Sequence, residues 1–214
     1  TIENGGCVSV LFNSTVEVHG TISHCIGRKG GALYGDEAHL NVSGSIHSSI
    51  ALDEGGCLYT YFFTDTYVLP GARLERCRAK IGAGVYSIGS GALVHLQSSS
   101  SISDSIASDS GGGVAVRAGV LRMDSDATIY NCQAQQNGGG VMLDSGALMT
   151  MSGGRISKCK AKNGGGFATA SDSRVVMTNK AMIDSNSASQ DGGGGVVESH
   201  AKVFTSTACA YVIV

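Results

Sequence analysis

The chain has little of what most folds and most enzymes are built from. Of 214 residues one is proline, none is tryptophan, 6% are aromatic and 15% are charged. A single proline beside 32 glycines excludes a flexible Pro/Gly linker, and no Gly-X-Y period is present, which excludes collagen. A formal net charge of −2 supplies no field to recruit nucleic acid or an acidic membrane surface, so neither is expected as a partner. No apolar run is long enough to span a membrane, and no stretch carries the 3.6-residue apolar period of a surface helix. Cys-x-x-Cys is missing, which argues against zinc. What is present is glycine, together with 42% hydrophobic residues in short runs, enough to bury a core.

The glycines are periodic. Aligning on Gly-Gly-small-apolar gives eight copies, at Gly5, Gly30, Gly55, Gly82, Gly111, Gly138, Gly164 and Gly193. Their apolar anchors (Val8, Leu33, Leu58, Val85, Val114, Val141, Phe167, Val196) lie 25, 25, 27, 29, 27, 26 and 29 residues apart. A second ladder, apolar-x-x-Cys/Ser/Asn-x-small, precedes each later glycine cluster: Ile22-Cys25-Gly27, Ile46-Ser49-Ala51, Leu74-Cys77-Ala79, Ile102-Ser105-Ala107, Ile129-Cys132-Ala134, Ile156-Cys159-Ala161 and Ile183-Asn186-Ala188. Between them runs a third series of alternating apolar residues, among them Leu40/Val42, Val94/Leu96 and Met149/Met151, the pattern of strands with one face buried.

Three short strands per period, broken by glycine corners and with no helix between, predict an all-β fold: a right-handed parallel β-helix of about eight coils spanning residues 1–214 as one domain. At one inter-strand spacing per coil the rod is about 38 Å long. Leucine-rich repeats require Leu-x-x-Leu-x-Leu-x-x-Asn, which is absent.

The wording from Gly138 to Gly166, Gly-Gly-Gly-Val-Met-Leu, then Leu-Met-Thr-Met-Ser-Gly-Gly-Arg-Ile-Ser-Lys-Cys-Lys-Ala, then Gly-Gly-Gly, resembles the repeats of large β-helical surface proteins. It is similar to the Gly-Gly-Ala-Ile type repeat of bacterial polymorphic outer-membrane proteins and related adhesin-like passenger domains. The resemblance covers essentially the whole chain and implies the fold.

A start at Thr1 implies either a removed leader or a piece of a longer chain; seven cysteines and two Asn-x-Ser/Thr acceptors, at Asn13 and Asn41, favour the first, a processed, exported glycoprotein. Cys7 with Cys25 and Cys57 with Cys77 occupy both ladder positions of coils one and three, which predicts two disulfides; Cys132 and Cys159, in adjacent coils, are candidates for a third. In-register Cβ atoms near 4.8 Å are wide for that bridge. Tyr34, Tyr59 and Tyr86 each follow a buried anchor and are expected to point outward and stack. Arg73, Arg76, Arg78 and Lys80 in coil three match Arg155, Lys158, Lys160 and Lys162 in coil six, giving two basic stripes about 14 Å apart on one face. The tyrosines and these stripes form a possible glycan-binding surface.

An enzyme of this architecture needs converging carboxylates for calcium or acid/base work. Glu75, Asp104, Asp124, Asp126 and Asp184 do not form a set of three on adjacent coils, and the Asn-Thr-Asp, Asp-Asp, Gly-His-Gly and Arg-Ile-Lys motifs of pectin-cleaving enzymes are lacking. No catalytic residue, cofactor or metal is therefore expected. The ends, Thr1-Ile2 and the strand-prone Tyr211-Val212-Ile213-Val214, are assigned to an assembly interface. The expected function is that of an extracellular structural rod, a subunit of a head-to-tail fibre or a stalk segment. A glycan-binding adhesin and a polysaccharide-cleaving lyase or hydrolase are the alternatives.

Overall fold

The computed structural model describes residues 4–205 and 211–212. Every regular element among them is a β-strand, and every strand pair is parallel. The strands form four sheets, three of eight strands and one of seven, so seven complete coils are followed by three strands of an eighth. One coil shows the path: Val141–Asp144 in the first sheet, Leu148–Ser152 in the second, Arg155–Ser157 in the third and Lys160–Asn163 in the fourth. Alternate residues point into a single apolar column that runs through all the coils and includes Leu33, Leu58, Val85, Val114, Val141 and Phe167 from the first sheet, all buried.

The expected ladders are present, but each coil has four strands rather than three. The Ile-x-x-Cys-x-Ala segment, expected as one strand, is two strands meeting at a corner. The residue before the Cys/Ser/Asn rung turns the chain with positive φ in all seven coils: His24, Ser48, Arg76, Asp104, Asn131, Lys158 and Ser185 lie between 54° and 58°, except Asn131 at 52°. Few non-glycine residues adopt this conformation. The following side chain is thereby aimed inward, where Cys25, Ser49, Cys77, Ser105, Cys132 and Cys159 are buried. Asn186, at the same rung of coil seven, is half-buried and ties this coil to the one before: its Oδ1 accepts from the Cys159 amide at 2.8 Å and its Nδ2 donates to the Ile156 carbonyl at 3.0 Å.

The glycine corner has a double requirement. Gly138 has φ of 63°, and a Cβ on its neighbour Gly139 would run into the carbonyl oxygens of Lys160 and Gly165 in the next coil. The same geometry corrects the eighth repeat. Gly192 takes the positive φ, and Phe167 pairs with Gly195 rather than Val196, so the repeat starts one residue earlier and the last spacing is 28 (195 minus 167). The Phe167 ring occupies the space where a Cβ on Gly195 would lie.

Cys7–Cys25 and Cys57–Cys77 are disulfide-bonded across the glycine corner, each with Cα atoms 5.5 Å apart. The third candidate is corrected: Cys132 and Cys159 are buried free thiols. In their own coils the position that Cys7 and Cys57 occupy is taken by Gly113 and Gly140, whose Cα atoms let the two sulfurs pack where a bridging partner would otherwise stand. Burial, then the Cys159 neighbour, pushes the Cys132 thiol well above the ordinary range. Cys209 lies outside the described residues.

Coil two carries Ala32 and Ser49 where coil three carries the Cys57–Cys77 bridge, and it holds the same register. The double substitution Cys57→Ala, Cys77→Ser is therefore expected to keep the fold while costing about 3 kcal/mol, the loop entropy of a closed stretch of this length. Urea denaturation followed by circular dichroism measures it, and an unchanged midpoint would show that the bridge contributes nothing.

Candidate functional site

On the outside of the first sheet, the residue after each buried anchor leans across the glycine corner toward the end of the fourth sheet. In coils two to four this residue is Tyr34, Tyr59 and Tyr86, paired in register. The rings stack at centroid separations of 5.2 Å (Tyr34–Tyr59, 7° between planes) and 5.4 Å (Tyr59–Tyr86, 24°). The stack is as expected; its exposure is not. Tyr59 is 2% exposed and Tyr86 1%, covered by Tyr61, Ile81 and Ile88 in a hydrophobic cluster of its own outside the central column. Tyr59 thus offers little free surface to a ligand. Lys29 caps its ring at 5.0 Å from the centroid and also pairs with Glu54 at 3.3 Å.

The next rung is Ala115, and the ladder resumes at Met142. Beside this rung Ile81, Tyr86, Ala115 and Met142 border a pocket of about 210 Å³, although Tyr86 and Ala115 are themselves buried, at 1% and 2% exposed. Its rim is polar: Arg117 Nε lies 3.3 Å from Asp144 Oδ2, and the Ser110 hydroxyl is close by. Sequence reading finds the tyrosines but not this pocket; the interruption of an aromatic series by alanine is the signal for it.

The other expected surface residues are open but not concentrated. Arg73 and Arg155 lie in the third sheet, Arg78 and Lys160 in the fourth, and Arg76 and Lys158 at the corner between, all exposed. Neutral or acidic rungs separate the two stripes: Ser101 and Thr128, Asp104 and Asn131, Ile106 and Gln133. Several cations are engaged locally. Arg76 meets Glu75 at 3.2 Å, Lys158 sits 5.3 Å from the Tyr130 ring centroid, and Arg155 grips Asp184 with two bonds of 2.7 and 2.6 Å. That grip holds the Asp184 carboxyl below the usual range against the opposing effect of its burial.

The acidic residues are spread out. Asp104 accepts a 2.7 Å bond from Asn131, Asp124 meets the His95 ring at 2.8 Å, and among the described residues no three His, Cys, Asp or Glu side chains are placed to hold a metal. His95 belongs to an outward row of the second sheet, Glu17–Asn41–Tyr67–His95–Arg122, that sequence reading does not single out. Asn41 is half-buried within this row, whereas Asn13 is exposed in the turn after Val8–Leu11. Of the assembly residues, Tyr211 and Val212 pair with Met182 and Ile183 as the last strand of the third sheet, and Thr1, Ile2, Ile213 and Val214 lie outside the described residues.

A family model described as the right-handed β-helix region matches residues 74–212, about two thirds of the chain. The chain belongs to this family. No curated protein and no solved structure matches it. Right-handed β-helices include both enzymes and non-enzymes, so membership leaves the chemistry of this β-helix to its own residues. The described residues form no helix able to cross a membrane.

Two measurements test the covered tyrosine stack. Tyr59→Ala is expected to destabilise the β-helix by about 3 kcal/mol, as for truncating a buried aromatic; a change within 0.5 kcal/mol, the usual range for a surface residue, would place the ring on the surface after all. Burial first, then neighbouring acids such as Glu54, raises the hydroxyls of Tyr59 and Tyr86 above the ordinary value, and burial does the same for Tyr34. Their folded values lie above the unfolded ones, so this contribution to stability is complete below about pH 10 and is lost as pH rises beyond it. Tyrosinate absorbance should lag for three rings and appear with unfolding; a full early rise would contradict the burial.

Proposed function

We propose that this β-helix is an extracellular structural protein, serving as a subunit of a head-to-tail surface fibre or as a stalk segment of a larger surface protein. The observation that carries the reading is the sameness of its interfaces. From the first coil to the eighth, each coil meets the next through the same parallel backbone ladder and the same stacked side chains. The outer edge of the strands Gly195–Val197 and Lys202–Thr205 therefore matches another coil of this kind, whether of a second molecule or of further chain.

Three further features support the reading. The two disulfides suit an oxidising compartment. Asn13 sits in an exposed turn where a glycan attaches without displacing packing. Three acidic groups are each engaged by a single cation or ring, Glu75 by Arg76, Asp124 by His95 and Asp184 by Arg155, which favours a scaffold over acid/base catalysis. The likeness of the glycine repeat to adhesin-like passenger domains points the same way.

The test is assembly. Sedimentation velocity and negative-stain microscopy of the purified chain over rising concentration should show end-to-end rods whose lengths are multiples of the single unit. A chain with intact β-sheet circular dichroism that stays monomeric at every concentration would remove the fibre.

A further inference from the structure

The formal net charge of −2 conceals a division between faces. The seven strands of the fourth sheet, each taken with the left-handed residue at the corner before it, hold eight of the 15 Lys and Arg but five of the 17 Asp and Glu. That face therefore carries +3 and the rest of the chain −5. Arg28 and Lys29 are matched by Asp53 and Glu54, at 3.0 and 3.3 Å, whereas among the described residues Arg78, Lys80, Lys160 and Lys162 have no carboxylate partner. The overall charge is thus no guide to what this face attracts.

The same face is apolar as well as basic. Ile26, Ile50, Leu52 and Ile106 are 54, 38, 54 and 40% exposed. Ladder pairing sets three of them in one column, Ile26–Ile50–Arg78–Ile106, which spans three coil spacings or about 14 Å. The alanines that follow, Ala51, Ala79 and Ala107, are buried and point inward, which fixes the column outward. Single exposed hydrophobic residues are ordinary on a protein surface, but a row of them at one level, set among unpaired cations, marks an interaction surface.

That combination narrows the partner. A nucleic acid or an acidic polysaccharide would neutralise the cations but bury little apolar surface on the isoleucines. An acidic protein would have to bring a matching flat apolar surface of its own. An anionic bilayer supplies both parts at once: phosphates at headgroup level for Arg78 and Lys80, and hydrocarbon just beneath for the isoleucines and Leu52. The glycan acceptors leave the face clear, since Asn13 lies in the turn before Thr15–Val18 and Asn41 within His39–Val42 of the second sheet.

We propose that the outer face of the fourth sheet, centred on Ile50, Leu52, Arg78 and Ile106, is a docking surface for an anionic lipid bilayer, on which the rod lies on its side. The proposal goes beyond the structural reading and does not rest on end-to-end assembly, because a single molecule presents the whole face.

The experiment floats the whole chain with vesicles of phosphatidylcholine alone and of phosphatidylcholine mixed with phosphatidylglycerol. Only the anionic vesicles should carry it, and less so as salt is raised. Arg78→Glu with Lys80→Glu should weaken that binding by more than about tenfold. Arg122→Glu with Arg174→Glu makes the same change of charge on the second sheet and should leave binding within about twofold, since separated exposed charges are screened. Burial of the apolar row is read separately. The chain contains no tryptophan, so Ile50→Trp gives a single emission that should shift to the blue on binding and be quenched by lipids brominated on their acyl chains. Circular dichroism shows which variants fold; if Arg78→Glu with Lys80→Glu does not, the quenching carries the test alone. No flotation with anionic vesicles at low salt, equal loss in both charge-reversed pairs, or a bound but unquenched tryptophan would each overturn the proposal. Binding to polyglutamate or heparin without binding to vesicles would overturn it too, by assigning the face to an acidic protein or polysaccharide.

Discussion

Parallel pairing between coils places the paired residues of the first three sheets directly above their counterparts one turn earlier, while the fourth sheet takes up the register shifts. Backbone hydrogen bonds at a single inter-strand spacing leave no freedom to offset neighbouring coils without breaking the ladder. A side chain's nearest neighbours are therefore the residues at the same position of the repeat, and the chemistry of the molecule is a matter of columns. Leu58 packs on Leu33 and Val85; Ile156 packs on Ile129 and Ile183; Tyr59 stacks between Tyr34 and Tyr86. The glycines are the condition for this, because the corner brings carbonyls of the next coil, those of Lys160 and Gly165 against Gly139 for example, too close for any Cβ.

Columns explain what could be read from the sequence and what could not. The two disulfides were legible because Cys7/Cys25 and Cys57/Cys77 occupy both ladder positions of one coil, and a pairing within a coil needs only the register. The fourth sheet was not legible. Its boundary is set by a left-handed residue that is His, Ser, Arg, Asp, Asn, Lys or Ser in turn, so no residue type marks the corner. The start of the eighth repeat was degenerate among Gly192, Gly193, Gly194 and Gly195, and the bulk of Phe167 in the coil below decides it. The covering of Tyr59 and Tyr86 was hidden for a different reason. Alternation along a strand predicts which face a residue takes, but not that the corner draws the end of the fourth sheet, with Ile81, over that face.

Coil three shows how a column can be weak in one place and supported in another. Its inward positions include Thr60, Thr64 and Thr66, and coil four adds Ser87, all fully buried. The hydroxyls of Thr66 and Ser87 have no hydrogen-bond partner, at a cost of about 1–3 kcal/mol each. The same two coils hold Tyr59 and Tyr86 of the external stack, and coil three holds the Cys57–Cys77 bridge. At the height where the interior carries these unpaired hydroxyls, a covalent link and an outer hydrophobic cluster stabilise the rod. Such compensation is local, because each coil of a solenoid touches only its neighbours.

The same logic says where function can arise in a rod of this kind. A column that continues unchanged largely satisfies itself: each ring covers the next, and carboxylates such as Asp124 and Asp184 find partners, His95 and Arg155, one coil away. Chemistry becomes available where a column is interrupted. Gly113 and Gly140 interrupt the bridging position and leave Cys132 and Cys159 as thiols, but the interruption lies inside the core and is closed by packing. Ala115 interrupts the tyrosines on the outside, and there too packing closes the gap, since Ala115 and Tyr86 are 2% and 1% exposed. A break in periodicity is thus a condition for chemistry and not enough for it, because neighbouring side chains can close the space; the coil edges remain the place to look for assembly.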